Sequence, residues 1–189
     1  MGFFVMDIFC KAKQKLTESI IEETSNFLIL HDGFPLLKSH LLVIPKKHYR
    51  CFFEIDSSLN NELKSIKQKI YKFYQRIYNL PTVIFEHGIV GQTVLHAHLH
   101  FLPTKISLYK YLIKDFLPVK KTKVPYIYYK ENMKETFFSP LKKIEDGYLH
   151  KLYAKILTRP KEQSRTANFQ KWCYEVKKEW IFFLKRYSH

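Results

Sequence analysis

Cysteine and glycine are scarce in this chain of 189 residues, and each shortage excludes a class of protein. Its 3 cysteines are odd in number and far apart, which argues against a disulfide framework and a Cys-x-x-Cys metal pair. Its 5 glycines leave few flexible linkers, and no apolar run is long enough for a transmembrane span. We therefore expect a packed, cytoplasmic protein with no secretion signal and no membrane partner.

Acidic residues are also scarce, with 17 Asp and Glu against 32 Lys and Arg and a formal net charge of +15. Residues 1–103 hold 12 basic and 9 acidic residues, whereas residues 104–189 hold 20 and 8. Such a positive field attracts anions, including nucleotides, nucleic acids and acidic partners. A lysine-rich surface without a further role explains the charge equally well.

A row of histidines lies between residues 95 and 103, where His96, His98 and His100 alternate with apolar residues. This alternation predicts a strand with the three imidazoles on one face, neighbours roughly 6.6 Å apart. Two adjacent rings could share a metal ion, as a metal hydrolase would require. Alternatively, the middle imidazole is a nucleophile and its neighbours bind the charge of the substrate.

Two blocks of sequence together resemble the histidine triad (HIT) superfamily of nucleotide hydrolases and transferases. The first is GQTVLHAHLH at residues 91–100, and the second is DGFPLLKSHLLVIPKKH at residues 32–48. The resemblance covers about residues 5–103. It implies an α+β fold with a HIT-like antiparallel sheet and a long amphipathic helix. We expect a HIT domain over 1–103 and a basic α/β extension over 104–189, packed on the HIT core.

Residue periodicity predicts where the individual elements lie. Strands are predicted at 26–31, 40–44 and 81–88, and an amphipathic helix of some twenty residues from Asp56. The extension is predicted to contain strands at 124–129 and 135–138, helices at 148–157 and 168–185, and a lid or linker over the active site at 104–123.

The resemblance also implies roles for individual residues. His98 would attack the α-phosphorus of a nucleoside polyphosphate or phosphoramidate, with adenosine as the first choice and diadenosine polyphosphate as one example, to form a nucleotidyl-histidine intermediate. The backbone carbonyl of His96 would fix the tautomer of His98, and His100 and His40 would support the reaction. The implied substrate contacts are Asp32 for the ribose, Phe9 for the base, and Gln92, Thr93 and Glu86 for the phosphate or leaving group.

Some relatives carry a structural zinc ion, and the matching positions here are Asp7, Cys10, His48 and His96. Asp7 stands where those relatives have a cysteine, and a carboxylate is also able to bind zinc. The chemistry itself would require no cofactor. The resemblance further implies either a homodimer through the central sheet and helix or an extension that covers that surface.

Two other functions remain open beside the metal hydrolase. The basic extension favours removal of AMP from a nucleic-acid end or an adenylylated protein, although a single Cys173 excludes a Cys₂His₂ finger in the extension. Ionised Glu86 would only accept hydrogen bonds and would repel phosphate, so Glu86 turns away from the phosphate, binds a cationic leaving group or is protonated. Its presence also leaves open a nucleotide-binding regulator without turnover.

Overall fold

The computed structural model describes residues 6–120, 125–132, 134–157 and 168–187. Within these ranges the chain forms an eight-stranded sheet whose strand pairings are all antiparallel. The strands are β1 (Ile20–Glu23), β2 (Phe27–His31), β3 (Leu41–Pro45), β4 (Thr82–Gly88), β5 (Leu99–Pro103), β6 (Phe116–Val119), β7 (Tyr126–Glu131) and β8 (Lys134–Pro140). The helices are α1 (Ala12–Lys15), α2 (Asn60–Phe73), α3 (Tyr109–Asp115), α4 (Tyr148–Ile156) and α5 (Phe169–Tyr187).

The sheet continues from the first part of the chain into the extension. Its order is β1-β2-β3-β5-β4-β7-β8-β6, so the last three strands in this order come from residues beyond 103. Strand β7 pairs along β4 from Ile84 opposite Lys130 to Gly88 opposite Tyr126. The edge of β4 is therefore paired with β7 of the same chain, and a homodimer formed along that edge would require β7 to separate from β4.

One face of the sheet is covered by α2 and α5. Helix α2 buries Ile66, Ile70 and Phe73 at helical spacing, as its amphipathic pattern predicts. From α5, the rings of Trp180 and Phe183 lie 4.7 and 5.5 Å from that of Phe73. Burial of a side chain such as Phe183 contributes about 1.5–3 kcal/mol. The extension thus shares a core with the first part of the chain.

The other face is covered by α3 and α4, which bury Leu112, Leu149 and Tyr153 against the sheet. On β4, Phe85 belongs to this core, whereas Ile84 belongs to the core under α2. Successive side chains of a strand point to opposite faces. This alternation decides which residues of β4 share the face of His98 and His100.

Two sequence-based expectations need correction. The segment 104–120, predicted as part of a lid or linker, instead forms α3, which packs on one face of the sheet, and β6, which is an edge strand. Residues 121–123 of that segment lie outside the described ranges. Strand β5 begins at Leu99 rather than near residue 95, because the preceding backbone is bonded elsewhere: Ala97 N–H donates to the Tyr49 carbonyl at 2.6 Å. None of the described helices is long and apolar enough to cross a membrane.

Candidate active site

The three triad histidines are buried rather than displayed on an open surface. His96 is 0%, His98 4% and His100 7% exposed. A cavity of about 760 Å³ reaches His98 and His100. Its walls come from both parts of the chain, since the turn before α4 and the first residues of α4 contribute Asp146, Gly147, His150 and Lys151.

Hydrogen bonds define the tautomer of His98. Its Nδ1 lies 2.6 Å from the backbone carbonyl oxygen of His96, which is only an acceptor, so Nδ1 carries the hydrogen. The lone pair of the neutral ring is then on Nε2. Burial lowers the pKa of His98 below its ordinary value, which keeps the ring neutral at pH 7. His98 therefore has the electronic state of a nucleophile.

A chain of hydrogen bonds defines the tautomer of His100. The backbone N–H of Leu36 donates to His40 Nδ1 at 3.2 Å, which places the hydrogen of neutral His40 on Nε2. That Nε2–H donates to His100 Nδ1 at 2.9 Å, so His100 carries its own hydrogen on Nε2. Burial lowers the pKa of His40 to about 3. His100 is thus held as a neutral donor 5.0 Å from His98 between ring centroids.

Asp32 and Phe9, predicted as the ribose and base contacts, both line the cavity. Asp32 lines the cavity, and its Oδ2 is 3.4 Å from His40 Nε2 and 3.5 Å from His100 Nδ1. The ring of Phe9 lies 5.4 Å from that of His98 and lines the cavity together with apolar Leu30 and Leu42. This end of the cavity offers an apolar slot next to a carboxylate, as a nucleoside requires.

A second cluster joins the four residues named for zinc. Cys10 Sγ lies 3.4 Å from both Asp7 Oδ2 and His48 Nδ1, and 3.6 Å from His96 Nδ1. Asp7 Oδ2 lies 3.1 Å from His48 Nδ1 and 3.2 Å from His96 Nδ1. Ligand atoms around a tetrahedral zinc ion are separated by roughly 3.3–3.6 Å. The donor types and their separations therefore fit zinc.

The tautomer of His96 strengthens this fit. Its Nε2 lies 2.9 Å from the carbonyl oxygen of Pro45 and must donate, so the lone pair of the neutral ring is on Nδ1. That lone pair faces the Asp7 carboxylate at 3.2 Å with no hydrogen from the neutral ring between them, whereas the Cys10 thiol donates its own hydrogen to the same carboxylate at 3.4 Å. A shared cation, with Cys10 as its thiolate, would remove the repulsion between the ring and the carboxylate.

Glu86 does not contact the cavity, and the prediction that it binds substrate is wrong. It is 1% exposed and belongs to the opposite face of β4, where it accepts hydrogen bonds from Phe52 N–H at 2.8 Å and from the Tyr126 hydroxyl at 2.7 Å. Burial raises the pKa of Glu86 to about 7. Alternation along β4 instead places its neighbour, His87, at the cavity.

The phosphate-contact predictions for Gln92 and Thr93 differ in outcome. Thr93 lines the cavity. Gln92 instead donates from Nε2 to the carbonyl oxygen of Arg50 at 2.9 Å and is not part of the cavity wall. His87, His150 and Lys151 do line the wall but were not predicted, because only the sheet register and the fold of the extension bring them there.

Comparison with known proteins identifies the family. The HIT domain model matches residues 13–106. An uncharacterized HIT-like protein of Methanocaldococcus jannaschii is 33% identical over 101 residues, which cover 52% of this chain and 78% of that protein. The chain belongs to the HIT family. Proteins of this family are nucleotide-binding and hydrolase-like.

Two further matches concern sequence in one case and fold in the other. An adenosine 5'-monophosphoramidase of Danio rerio is 34% identical over 116 residues, which cover 58% of this chain and 71% of that enzyme. The crystal structure of a hypothetical histidine triad nucleotide-binding protein of Sulfolobus tokodaii covers 96% of both chains with a TM-score of 0.50. At 20% identity this second likeness shows the fold alone, and its coverage includes the extension.

Proposed function

We propose that this HIT protein hydrolyses a nucleoside phosphoramidate or polyphosphate at the α-phosphorus, with adenosine as the nucleoside. The observation that carries the proposal is the hydrogen bond from His98 Nδ1–H to the His96 carbonyl, which leaves the Nε2 lone pair of a neutral imidazole for attack. The adenosine 5'-monophosphoramidase activity of the Danio rerio relative supports the reaction class.

The reaction has two steps. His98 Nε2 forms a bond to the α-phosphorus while the bond from phosphorus to the leaving oxygen or nitrogen breaks. The leaving atom keeps that electron pair, receives a hydrogen bond from His100 Nε2–H and takes any proton it needs from solvent. Water then attacks phosphorus, the nitrogen–phosphorus bond breaks, its electron pair returns to His98, and a proton is released with the nucleoside monophosphate.

The cationic ring of the intermediate is stabilised by the same contact that prepares the nucleophile. Once Nε2 is bonded to phosphorus, His98 carries a positive charge, and its Nδ1–H donates a stronger hydrogen bond to the His96 carbonyl. Asp32, within the cavity, also favours a positive charge on this ring. Because Glu86 lies on the other face of the sheet, its charge gives no reason to expect a regulator without turnover.

We also propose that Asp7, Cys10, His48 and His96 hold a structural zinc ion. When bound, zinc supplies a cross-link between the segment before α1, the segment after β3 and the first triad histidine. His96 would then be fixed at both ring nitrogens, by the ion and by the Pro45 carbonyl, and its backbone carbonyl would be held in place for His98.

The experiment compares AMP release from an AMP phosphoramidate and from diadenosine tetraphosphate by the wild type and by His98→Ala. Glu86→Gln is the matched control, because Glu86 is buried near the site but faces away from the cavity. We expect release by the wild type and the control, and loss of at least about a thousandfold in His98→Ala. Equal release by His98→Ala would contradict the nucleophile.

Treatment with a chelator distinguishes a structural zinc ion from a catalytic metal ion, with melting temperature and activity measured together. With a structural ion, removal of the metal lowers the melting temperature, and activity follows the fraction of folded protein. If activity disappears while the protein stays folded, and divalent metal restores it, a metal hydrolase replaces this proposal.

A further inference from the structure

One buried histidine in the cavity has no role in the chemistry described above. His87, on β4, is 3% exposed and lines the cavity. It lies two residues beyond Phe85, which pairs with His100 across the sheet, so His87 shares the face of His100. The centroids of the His87 and His100 rings are 6.3 Å apart.

The extension fixes the tautomer of His87. At the start of α4, the backbone N–H of Leu149 donates to His87 Nε2 at 3.2 Å. A ring nitrogen that accepts a hydrogen bond carries no hydrogen, so neutral His87 is protonated on Nδ1. No group of the described residues accepts a hydrogen bond from that Nδ1–H.

The neutral state of His87 is stable at physiological pH. Burial lowers its pKa well below the ordinary value, and His100, His98 and His150 reinforce the shift. A ring that stays neutral does not act as a general acid or base, and His87 is therefore a fixed hydrogen-bond donor.

The turn before α4 is held tightly against the loop that precedes the triad. Gly147 N–H donates to the Gly91 carbonyl at 2.7 Å. Gly91 has a φ of +69°, and a Cβ there would lie 2.8 Å from the Glu145 carbonyl oxygen, so a glycine is needed for this close approach. The Cδ2 of His87 lies 3.5 Å from that same Cβ position. One edge of the ring thus faces this contact, and Nδ1 lies on the other edge.

We infer that His87 is a further phosphate-binding residue whose donor, Nδ1–H, is oriented by the C-terminal extension through Leu149 N–H. The inference rests on the proposed function, because it needs a nucleotide phosphate between His98 and His100. His87 binds an oxygen of that phosphate, and the extension is thereby part of the active site.

Two amide substitutions separate a phosphate contact from a purely structural contact. Glutamine places its amide near the position of His Nε2, so His87→Gln keeps an acceptor for Leu149 N–H and loses the donor at Nδ1. Asparagine places its amide near Nδ1, so His87→Asn keeps that donor and loses the contact with α4. The measurements are the dissociation constants of AMP and adenosine by calorimetry, and the melting temperature.

We expect His87→Gln to weaken AMP binding by about tenfold or more, with adenosine binding unchanged. His87→Asn keeps the donor but loses the contact with α4 that orients it, so it should bind AMP more weakly than the wild type and more tightly than His87→Gln, and it should melt at a lower temperature. If the wild type binds AMP and His87→Gln binds it equally well, the inference is overturned while the proposed function stands. If the wild type binds neither ligand, both are overturned.

A measurement on the wild type covers the case in which a variant does not fold. Nitrogen NMR of the histidine rings should show His87 protonated on Nδ1, and this signal should shift on addition of AMP but not of adenosine. A His87 ring protonated on Nε2, or one that AMP does not affect, would overturn the inference.

Discussion

Two histidine clusters lie on either side of His98, and they look alike in composition but differ in where their hydrogens are. In the zinc cluster (Asp7, Cys10, His48 and His96), the His96 lone pair and the carboxylate face one another without a hydrogen that the ring can provide. In the relay cluster (Asp32, His40 and His100), the two ring nitrogens that face each other are matched: His40 Nε2–H is the donor and His100 Nδ1 is the acceptor.

Residue type alone therefore does not identify a metal site. Both groups bring ligand atoms within 4.8 Å of one another. Backbone contacts decide between them: the Pro45 carbonyl frees the Nδ1 lone pair of His96, whereas Leu36 N–H places the hydrogen of His40 between two rings. The donor set of the first cluster suits a cation, and the second cluster would orient a donor at the phosphate in the proposed reaction.

The largest effect on activity is expected from the relay cluster. His100→Asn removes the donor at Nε2 and should lower kcat by about a hundredfold or more. His100→Gln places an amide donor near that position and should retain clearly more activity than His100→Asn. Steady-state kinetics on AMP phosphoramidate test this order, and equal losses in the two variants would argue against a donor role for Nε2.

The largest effect on stability is expected from the zinc cluster. Cys10→Ala should lose a metal that elemental analysis finds at about one zinc per wild-type chain, and it should melt at least about 5 °C lower. The matched control is Asp32→Asn, which changes the relay cluster and should keep the zinc. A wild-type protein purified in the presence of zinc that contains none would contradict the assignment.

Acid should destabilise the protein between pH 6.5 and 4.5. Burial lowers the pKa values of His40, His87, His98 and His100, so the unfolded chain binds more protons than the native protein below pH 6.5. Each pH unit then costs up to about 1.4 kcal/mol per group. Melting temperatures measured across this range should fall, and a constant value would contradict neutral buried rings.

Glu86 contributes to the pH dependence with the opposite sign. Its pKa is raised to about 7, so the native protein holds this proton where the unfolded chain has lost it, and stability falls as pH rises from 4.5 to 7. Glu86→Gln should therefore raise the melting temperature at pH 8 and change it little at pH 5. The acid destabilisation should become steeper in this variant.

The smallest effect on catalysis is also expected at Glu86. Glu86→Gln should change kcat/KM by less than about twofold, because the side chain bonds to Phe52 N–H and the Tyr126 hydroxyl on the face away from the cavity. His87 is the next residue of β4 and lies on the opposite face. Comparing kcat/KM of Glu86→Gln and His87→Gln therefore shows whether only the face toward the cavity affects catalysis.

Sequence periodicity predicted the regular elements well. The predicted strands at 26–31, 40–44 and 81–88 are observed as β2, β3 and β4, and the helix after Asp56 continues to residue 73 before one further irregular turn. Helix α2 buries one face, which is visible in sequence as apolar residues at helical spacing, and the three strands are buried on both faces, which is visible as short apolar runs. The signature residues His98, His100, Asp32 and Phe9 were also found at the cavity.

The rest depended on contacts between distant segments. The register of β4 decides between Glu86 and His87, and nothing local in Phe-Glu-His-Gly reveals it, because both residues are buried and polar. The strand predicted from residue 95 starts later because Tyr49 takes a backbone bond of Ala97. His150 enters the cavity only because the turn before α4 docks on Gly91.

The proposed reaction requires neutral His98 to form a covalent bond to the α-phosphorus. The most direct measurement is rapid quenching of the wild type with AMP phosphoramidate, followed by mass spectrometry of the peptide that contains residues 91–103. We expect an AMP adduct on His98 that forms before AMP appears and is absent from His98→Ala. AMP release without any adduct, or an adduct on another residue, would contradict it.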